Sequence, residues 1–277
     1  MKLPDALDPA AVQAVAMDLD RTILGPSLEF TDVLVEAVAA VEAAGIVPVI
    51  ATGRMFRSAR RYAQRLRLTS PLICYQGALV ADPNSGEWLL HEPLDPADGR
   101  ELIEAIRPRG FHINVYVDDE LYVAELNRYS DEYARHARLE AHAVGDLATW
   151  LTVPTTKIVV VGDPEPLDEL NLELHERFGS RFFIAKSLPT FLELARAGVS
   201  KGSGLHFVCN RLGIDPAAVV GFGDGANDVE LLEEAGTAVA VENADPLLLP
   251  HADVLVPSVE EDGVARFLQL LVDSRRR

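Results

Sequence analysis

The chain has 277 residues, 48% of them apolar and 25% charged, which is the balance of a folded protein with length for one large domain or two ordinary ones. Its net charge of −18 argues against non-specific binding to nucleic acid. No apolar run approaches the roughly 18 residues needed to cross a bilayer, so no membrane partner is expected.

The opening MKLPDALDPA lacks the apolar stretch of a signal peptide, and the cytoplasm is the default address. "AVAM" (Ala14 to Met17) follows and reads as a strand covered on both faces of a parallel sheet. Asp18 and Asp20 come directly after it. Two carboxylates at a buried strand's end are costly to desolvate unless something compensates them. "TDVLVEAVAAVEAAG" predicts a helix with Thr31 or Asp32 as N-cap and Gly45 as its stop. "IVPVIAT" is a second strand and "PLICY" a third. Between them "GRMFRSARRYAQRLR" predicts a helix that turns Met55, Ala59, Tyr62, Ala63 and Leu66 inward, with its arginines on the solvated side. This alternation implies right-handed crossovers and a parallel sheet.

The rhythm then changes. After the turn cluster "ADPNSGEW", the stretch "FHINVYV" alternates, with Phe111, Ile113, Val115 and Val117 on one face and His112, Asn114 and Tyr116 on the other. That is the period of a half-buried antiparallel strand. "TKIVVVGD" and "RFFIAKSLPTFLEL" supply further strands around the helical "PLDELNLELHERF". Residues 84–189 are therefore read as an inserted α+β domain. From Gly198 the α/β pattern resumes through "SKGSGLHFVCNRLG", "AVVGFGD", "NDVELLEEAG", "TAVAVENA", "ADVLVPS" and "EDGVARFLQLLV". The closing Arg275-Arg276-Arg277 reads as a frayed tail. Cys74 and Cys209, the only cysteines, read as buried thiols. The seven histidines show no spacing that would hold zinc.

Four polar points fall at strand ends or a helix start: Asp18 with Asp20, Thr52, Lys201, and "GDGAND" (Gly223 to Asp228). Ligands of open α/β sheets collect at the carboxyl ends of the strands, where distant segments can meet. Each point alone has a plainer reading as a turn, a cap or an exposed lysine. Together, "DLDRT", "IATGR", "GVSKG" and "GFGDGANDVELLEEAG" resemble the four motifs of the haloacid dehalogenase superfamily. Within it the chain is most similar to the Cof-type phosphatases, which carry a cap between the second and third motifs. "VAVENADPLLLPHADVLVPSVEEDGVARFL" fits the same group.

The resemblance implies a Rossmann-like, doubly wound parallel-sheet core of residues 1–83 and 190–277, with an α+β cap at 84–189 that selects substrate. It implies a phosphatase acting on a small phosphorylated metabolite, with a sugar phosphate as the expected class. Asp18 would be the nucleophile that forms an aspartyl-phosphate, and Asp20 the general acid and then base. A Mg2+ ion would remove the repulsion between these carboxylates and a phosphate. Its ligands would be the Asp18 carboxylate, the Asp20 carbonyl and Asp224, with Asp228 holding a bound water. Thr52, Lys201, the Leu19 and Gly53 N–H groups and the Asn227 amide would cradle the phosphate.

The chain departs from the family pattern twice. Arg21 stands where relatives commonly have glycine, so its side chain must point away or narrow the entrance. Gln76 stands where they often have asparagine, and it is expected to touch none of the four points. For the polar face of "FHINVYV", with Asp118, Asp119 and Tyr122 nearby, substrate selection and an ordinary solvent-facing strand both remain open. The alternatives in function are a phosphomutase and a non-catalytic phosphate-binding module phosphorylated on Asp18. A dehalogenase fits less well, because halide displacement does not need this acidic set. Nothing in the sequence sets the oligomeric state.

Overall fold

Val15, Ala16 and Met17 are completely buried because β1 (Ala14–Met17) is an interior strand of a parallel sheet. Its neighbours are β2 (Val47–Ile50) on one side and β12 (Val219–Gly223) on the other, both parallel to it. The sheet continues outward through β13 (Thr237–Val241) to β14 (Val254–Val256). On the opposite side a parallel bridge from Ala51 to Ile73 leads to β3 (Leu72–Cys74). Strand β3 forms a small sheet of its own with β4 (Leu79–Ala81) and β5 (Trp88–His91). The computed structural model describes residues 2–131 and 140–276, and Arg277 of the expected tail lies outside them.

The described chain divides into two units. The first comprises Met1–Arg54, Ala59–Leu89 and Ser200–Arg277, and holds the parallel sheet. Its helices follow from the sequence. Helix α1 (Asp32–Ala43) starts at Thr31, whose side chain accepts the Leu34 N–H at 3.1 Å, a cap worth about 1 kcal/mol. It buries Leu34, Ala37, Val38 and Val41, one stripe at helical spacing. Helix α2 (Phe56–Arg65), which belongs to this unit from Ala59 on, buries Ala59, Tyr62 and Ala63. The last helix of the chain, Gly263–Arg275, is not followed by a loose end at Arg275. That guanidinium donates to the carbonyls of Pro9 at 2.9 Å and Val12 at 2.7 Å, which corrects the reading of a frayed tail at this position.

The second unit comprises Met55–Ser58 and Leu90–Val199. Its sheet runs β10-β11-β9-β6-β7-β8, built from β6 (His112–Val117), β7 (Glu120–Val123), β8 (Ala141–Ala143), β9 (Lys157–Val161), β10 (Phe182–Leu188) and β11 (Phe191–Arg196). The pairings are antiparallel except β7 with β8. The insertion expected at 84–189 would cut the β10–β11 hairpin. In the structure β11 pairs with β9 as well, so the unit extends to Val199, while residues before Leu90 stay with the first unit.

Helices α3 (Pro96–Ile106), α4 (Leu147–Trp150) and α5 (Pro164–Phe178) share one core with Ile113, Val115, Val117, Ile158 and Val160. Helix α5 alone contributes Leu167, Leu170, Leu174 and Phe178, each stabilising by roughly 1.5–3 kcal/mol on burial. The other face of β6 is not solvated as its alternation suggested: Asn114 and Tyr116 are buried too. Tyr122 belongs to the helix side, its ring centre 4.5 Å from that of Trp150 and tilted by 34°. Asp119 is buried and accepts the N–H groups of Phe56 at 3.0 Å and Arg57 at 2.8 Å. Cys74 and Cys209 are buried thiols not joined in a disulfide. Among the described residues no helix is long and apolar enough to cross a membrane.

Candidate active site

Three neighbouring strands end on chemistry. Beyond Met17 lies Asp18, beyond Ile50 lies Thr52, and beyond Gly223 lies Asp224. Because β1, β2 and β12 are parallel neighbours in register, these ends emerge side by side. Lys201 opens helix α6 (Lys201–Leu212), with Ser200 as its N-cap, bonded reciprocally to Ser203. A cation in a first turn opposes the helix dipole. Two ion pairs outweigh that penalty: the Lys201 Nζ lies 2.6 Å from Oδ1 of Asp18 and 2.6 Å from Oδ1 of Asp228.

The approach of α6 depends on glycine. A Cβ at Gly202 would stand 2.2 Å from the Glu230 carbonyl oxygen, and one at Gly77, φ 99°, would stand 2.0 Å from the Ser200 carbonyl oxygen.

Asp228 closes its own turn. Its Oδ2 accepts the N–H groups of Asp224 at 3.0 Å and Gly225 at 2.9 Å, while Oδ1 faces Lys201. Asp18, Asp224 and Asp228 thereby converge, all buried, with one carboxylate oxygen from each within 4.8 Å of the others.

Burial raises the Asp18 carboxyl well above its ordinary value. Lys201 opposes that rise, and Asp228, Asp224 and Asp20 add to it. Asp224 is pushed up to about 7, first by burial and then by Asp228, against the pull of Arg21 and Lys201. Lys201 shows the reverse balance: burial alone would lower it, but Asp18 and Asp228 hold the ammonium above its usual value. Buried carboxylates that repel one another and offer only oxygen donors fit a hard divalent cation.

Asp20 leaves the strand, half exposed, and its two oxygens receive Arg54, with Nε at 2.7 Å and Nη2 at 2.5 Å. This fork is the kind of contact that orients a carboxylate. It corrects the reading of the basic segment, because the Arg54 side chain is only 10% exposed and is not on a solvated face. Nothing local marked it, since Arg54 became informative only once β2 was placed beside β1. Thr22 was also missed. Its hydroxyl donates to Oδ1 of Asp224 at 3.1 Å, across 202 residues.

The predicted phosphate-binding residues lie around this centre. Thr52 is buried and its hydroxyl accepts the Arg54 N–H at 3.2 Å. Leu19 is buried, and its carbonyl accepts from Ile23 and Leu24, folding residues 19–24 into a tight loop. The Asn227 Nδ2 donates to Oε1 of Gln76 at 3.1 Å. Gln76 also lies so close to Gly53 that a Cβ there would stand 2.4 Å from its Nε2. The expectation that Gln76 touches none of the four motifs is therefore corrected: it bridges the second and the fourth.

Arg21 has φ 66°, a left-handed backbone that costs a residue with a side chain about 1–2 kcal/mol and that glycine takes freely. Its side chain turns aside to the Asn243 carbonyl, 2.8 Å from Nη2.

The profile of haloacid dehalogenase-like hydrolases matches residues 15–268, and the chain belongs to that family. It is 30% identical to HMP-PP phosphatase of Cronobacter sakazakii, an alignment covering 93% of this chain and 95% of the relative. It is 28% identical to the 5-amino-6-(5-phospho-D-ribitylamino)uracil phosphatase YitU of Bacillus subtilis, covering 92% and 96%. The crystal structure of TM0651 from Thermotoga maritima superposes with a TM-score of 0.82 at 33% identity, covering 93% of this chain and 97% of that one.

Proposed function

We propose that the protein is a Mg2+-dependent phosphatase that hydrolyses a small phosphorylated metabolite through an aspartyl-phosphate on Asp18. The observation that carries this reading is the convergence of Asp18, Asp224 and Asp228 around Lys201. Such an acidic centre suits a cation and an anion together, and does little for fold stability. Both named relatives are phosphatases of small phosphorylated compounds. A sugar phosphate is the substrate class to test first, with the compounds named for the relatives beside it.

In this mechanism an Asp18 oxygen attacks phosphorus while Asp20 gives a proton to the departing oxygen, so that one P–O bond forms as another breaks. Asp20, oriented by Arg54, then takes a proton from water. The resulting hydroxide attacks phosphorus, and the Asp18 carboxylate leaves with release of inorganic phosphate. Lys201 holds Asp18 and Asp228 in place and supplies positive charge to the phosphoryl oxygens. Thr52 and the Leu19 and Gly53 N–H groups bind those oxygens, and Asn227, steadied by Gln76, completes the cradle. Asp18, the Asp20 carbonyl and Asp224 would ligate Mg2+, with Asp228 behind them; when bound, the ion supplies charge neutralisation between carboxylates and phosphate.

Substrate selection is assigned to the second unit. Its sheet carries His112, Asn114 and Tyr116 on the face opposite the helices. The Asn114 Nδ2 is buried without a hydrogen-bond partner among the described residues.

A phosphate-release screen over phosphorylated metabolites, with and without Mg2+, tests the reading. Turnover is expected only with the metal, and Asp18→Asn is expected to lower it by about a thousandfold or more. An Asp18→Asn protein with wild-type turnover would overturn the proposal.

A further inference from the structure

Arg21 holds a backbone that glycine would take without strain, and what its side chain touches gives that strain a use. Its Nη2 donates to the Asn243 carbonyl at 2.8 Å. The Asn243 Nδ2 returns a bond to the Arg21 carbonyl at 2.8 Å, and the Asn243 Oδ1 accepts the Val259 N–H at 2.9 Å. The tether sets the Arg21 Nε 3.4 Å from Oδ2 of Asp224. The other Asp224 oxygen receives the Thr22 hydroxyl. Asp224 is thus held at both oxygens, and one of the holders carries a permanent charge.

We propose that Arg21 is a positioning residue that fixes Asp224 and holds the acidic centre's affinity for a divalent cation below what its carboxylates alone would give. The inference rests on the metal-dependent reading above. Before a cation enters, Arg21 relieves the repulsion among Asp18, Asp224 and Asp228. After it enters, the guanidinium and the metal share the same carboxylate and repel each other. The effect is modest because the Arg21 side chain is 58% exposed and therefore screened. Glycine at this position would leave the metal bound more tightly and the metal-free centre less well balanced.

Calorimetric titration of Mg2+ into the purified full chain tests this, using wild type, Arg21→Gln, Arg21→Gly and Arg21→Lys. Glycine accepts the left-handed backbone, so Arg21→Gly provides a variant whose folding is not in question. Arg21→Gln and Arg21→Gly are expected to lower the Mg2+ Kd by about fivefold, and Arg21→Lys to stay within about twofold of wild type. In EDTA, Arg21→Gln is expected to melt below wild type, and its rise in Tm on adding Mg2+ to exceed that of wild type. An unchanged or higher Kd in Arg21→Gln overturns the inference, as does an equal shift in Arg21→Lys. If wild type and Asp224→Asn both show no saturable Mg2+ binding, the metal-dependent reading fails and takes this one with it. Binding by wild type, its loss in Asp224→Asn and no change in Arg21→Gln would defeat the Arg21 inference alone.

Discussion

Among the described residues two lysines are buried against carboxylates, one in each unit, and they differ in balance. In the second unit, Lys157 on β9 is 3% exposed, with its Nζ 3.2 Å from Glu193 and 5.4 Å from the centre of the Tyr116 ring. The ion pair there joins Lys157 to Glu193, itself buried. In the first unit, Lys201 meets Asp18 and Asp228 together, with Asp224 close by. Negative charge is in surplus at that point. A matched buried pair is an element of structure, whereas an unmatched one leaves room for a further cation and for chemistry. Burial of a lysine does not by itself separate the two cases. The count of carboxylates around it does.

Neutralising each lysine in turn breaks the comparison most sharply. Lys201→Met is expected to lower phosphate release by about a hundredfold or more, because it removes charge aimed at the reacting phosphoryl group. Lys157→Met is expected to leave kcat within about twofold and to cost about 3 kcal/mol of stability in urea unfolding, since Glu193 is left buried. Replacing both members, Lys157→Met with Glu193→Leu, is expected to recover most of that loss. A Lys157 variant that folds normally yet loses turnover would place it among the functional residues and erase the distinction.

Arg54 gives a smaller effect. Truncating it to alanine frees Asp20 without removing it, so kcat is expected to fall about tenfold while KM changes less. A steady-state comparison at several pH values separates this from a folding defect, because loss of orientation alters the profile of kcat and loss of folded protein only scales it.

The surplus charge also predicts how the metal-free protein responds to pH. Asp224 binds its proton more tightly when folded, at about 7 against an ordinary 3.8. Between those values the folded state carries the extra proton, so stability falls as pH rises from 3.8 to about 7 and levels off above. Asp18 is raised and acts in the same direction. Unfolding midpoints measured in EDTA from pH 5.5 to 8 are expected to decline, least steeply in Asp224→Asn. Midpoints that rise across this range in both proteins would contradict the charge balance described here.

Much of this was legible in the sequence, for a physical reason. Strand ends of a parallel sheet gather at one edge, so the hydrophobic pattern put Asp18, Thr52 and Asp224 where distant segments can meet, and the resemblance to a known family joined them into one site. Thr31 and Gly45 bounded α1 because caps are local chemistry. What stayed hidden depends on partners brought together only by folding. Arg54 reaches Asp20 across 34 residues, and Asn227 reaches Gln76 across 151. In the sequence, Arg54 is one arginine among several and Gln76 one amide near a turn. The covered second face of β6 was missed because alternation reports polarity and not burial: Asn114 and Tyr116 are buried, with the Asn114 Oδ1 3.0 Å from His112 Nε2.

The most direct test of the central claim is a crystal structure of the protein grown with Mg2+ and beryllium fluoride, a mimic of the phosphoryl group. The account predicts the beryllium bonded to an Asp18 oxygen, with one cation held between Asp18 and Asp224 and Lys201 turned toward the fluorines. A cation bound away from these carboxylates, or a beryllium centre that does not bond to Asp18, would contradict it.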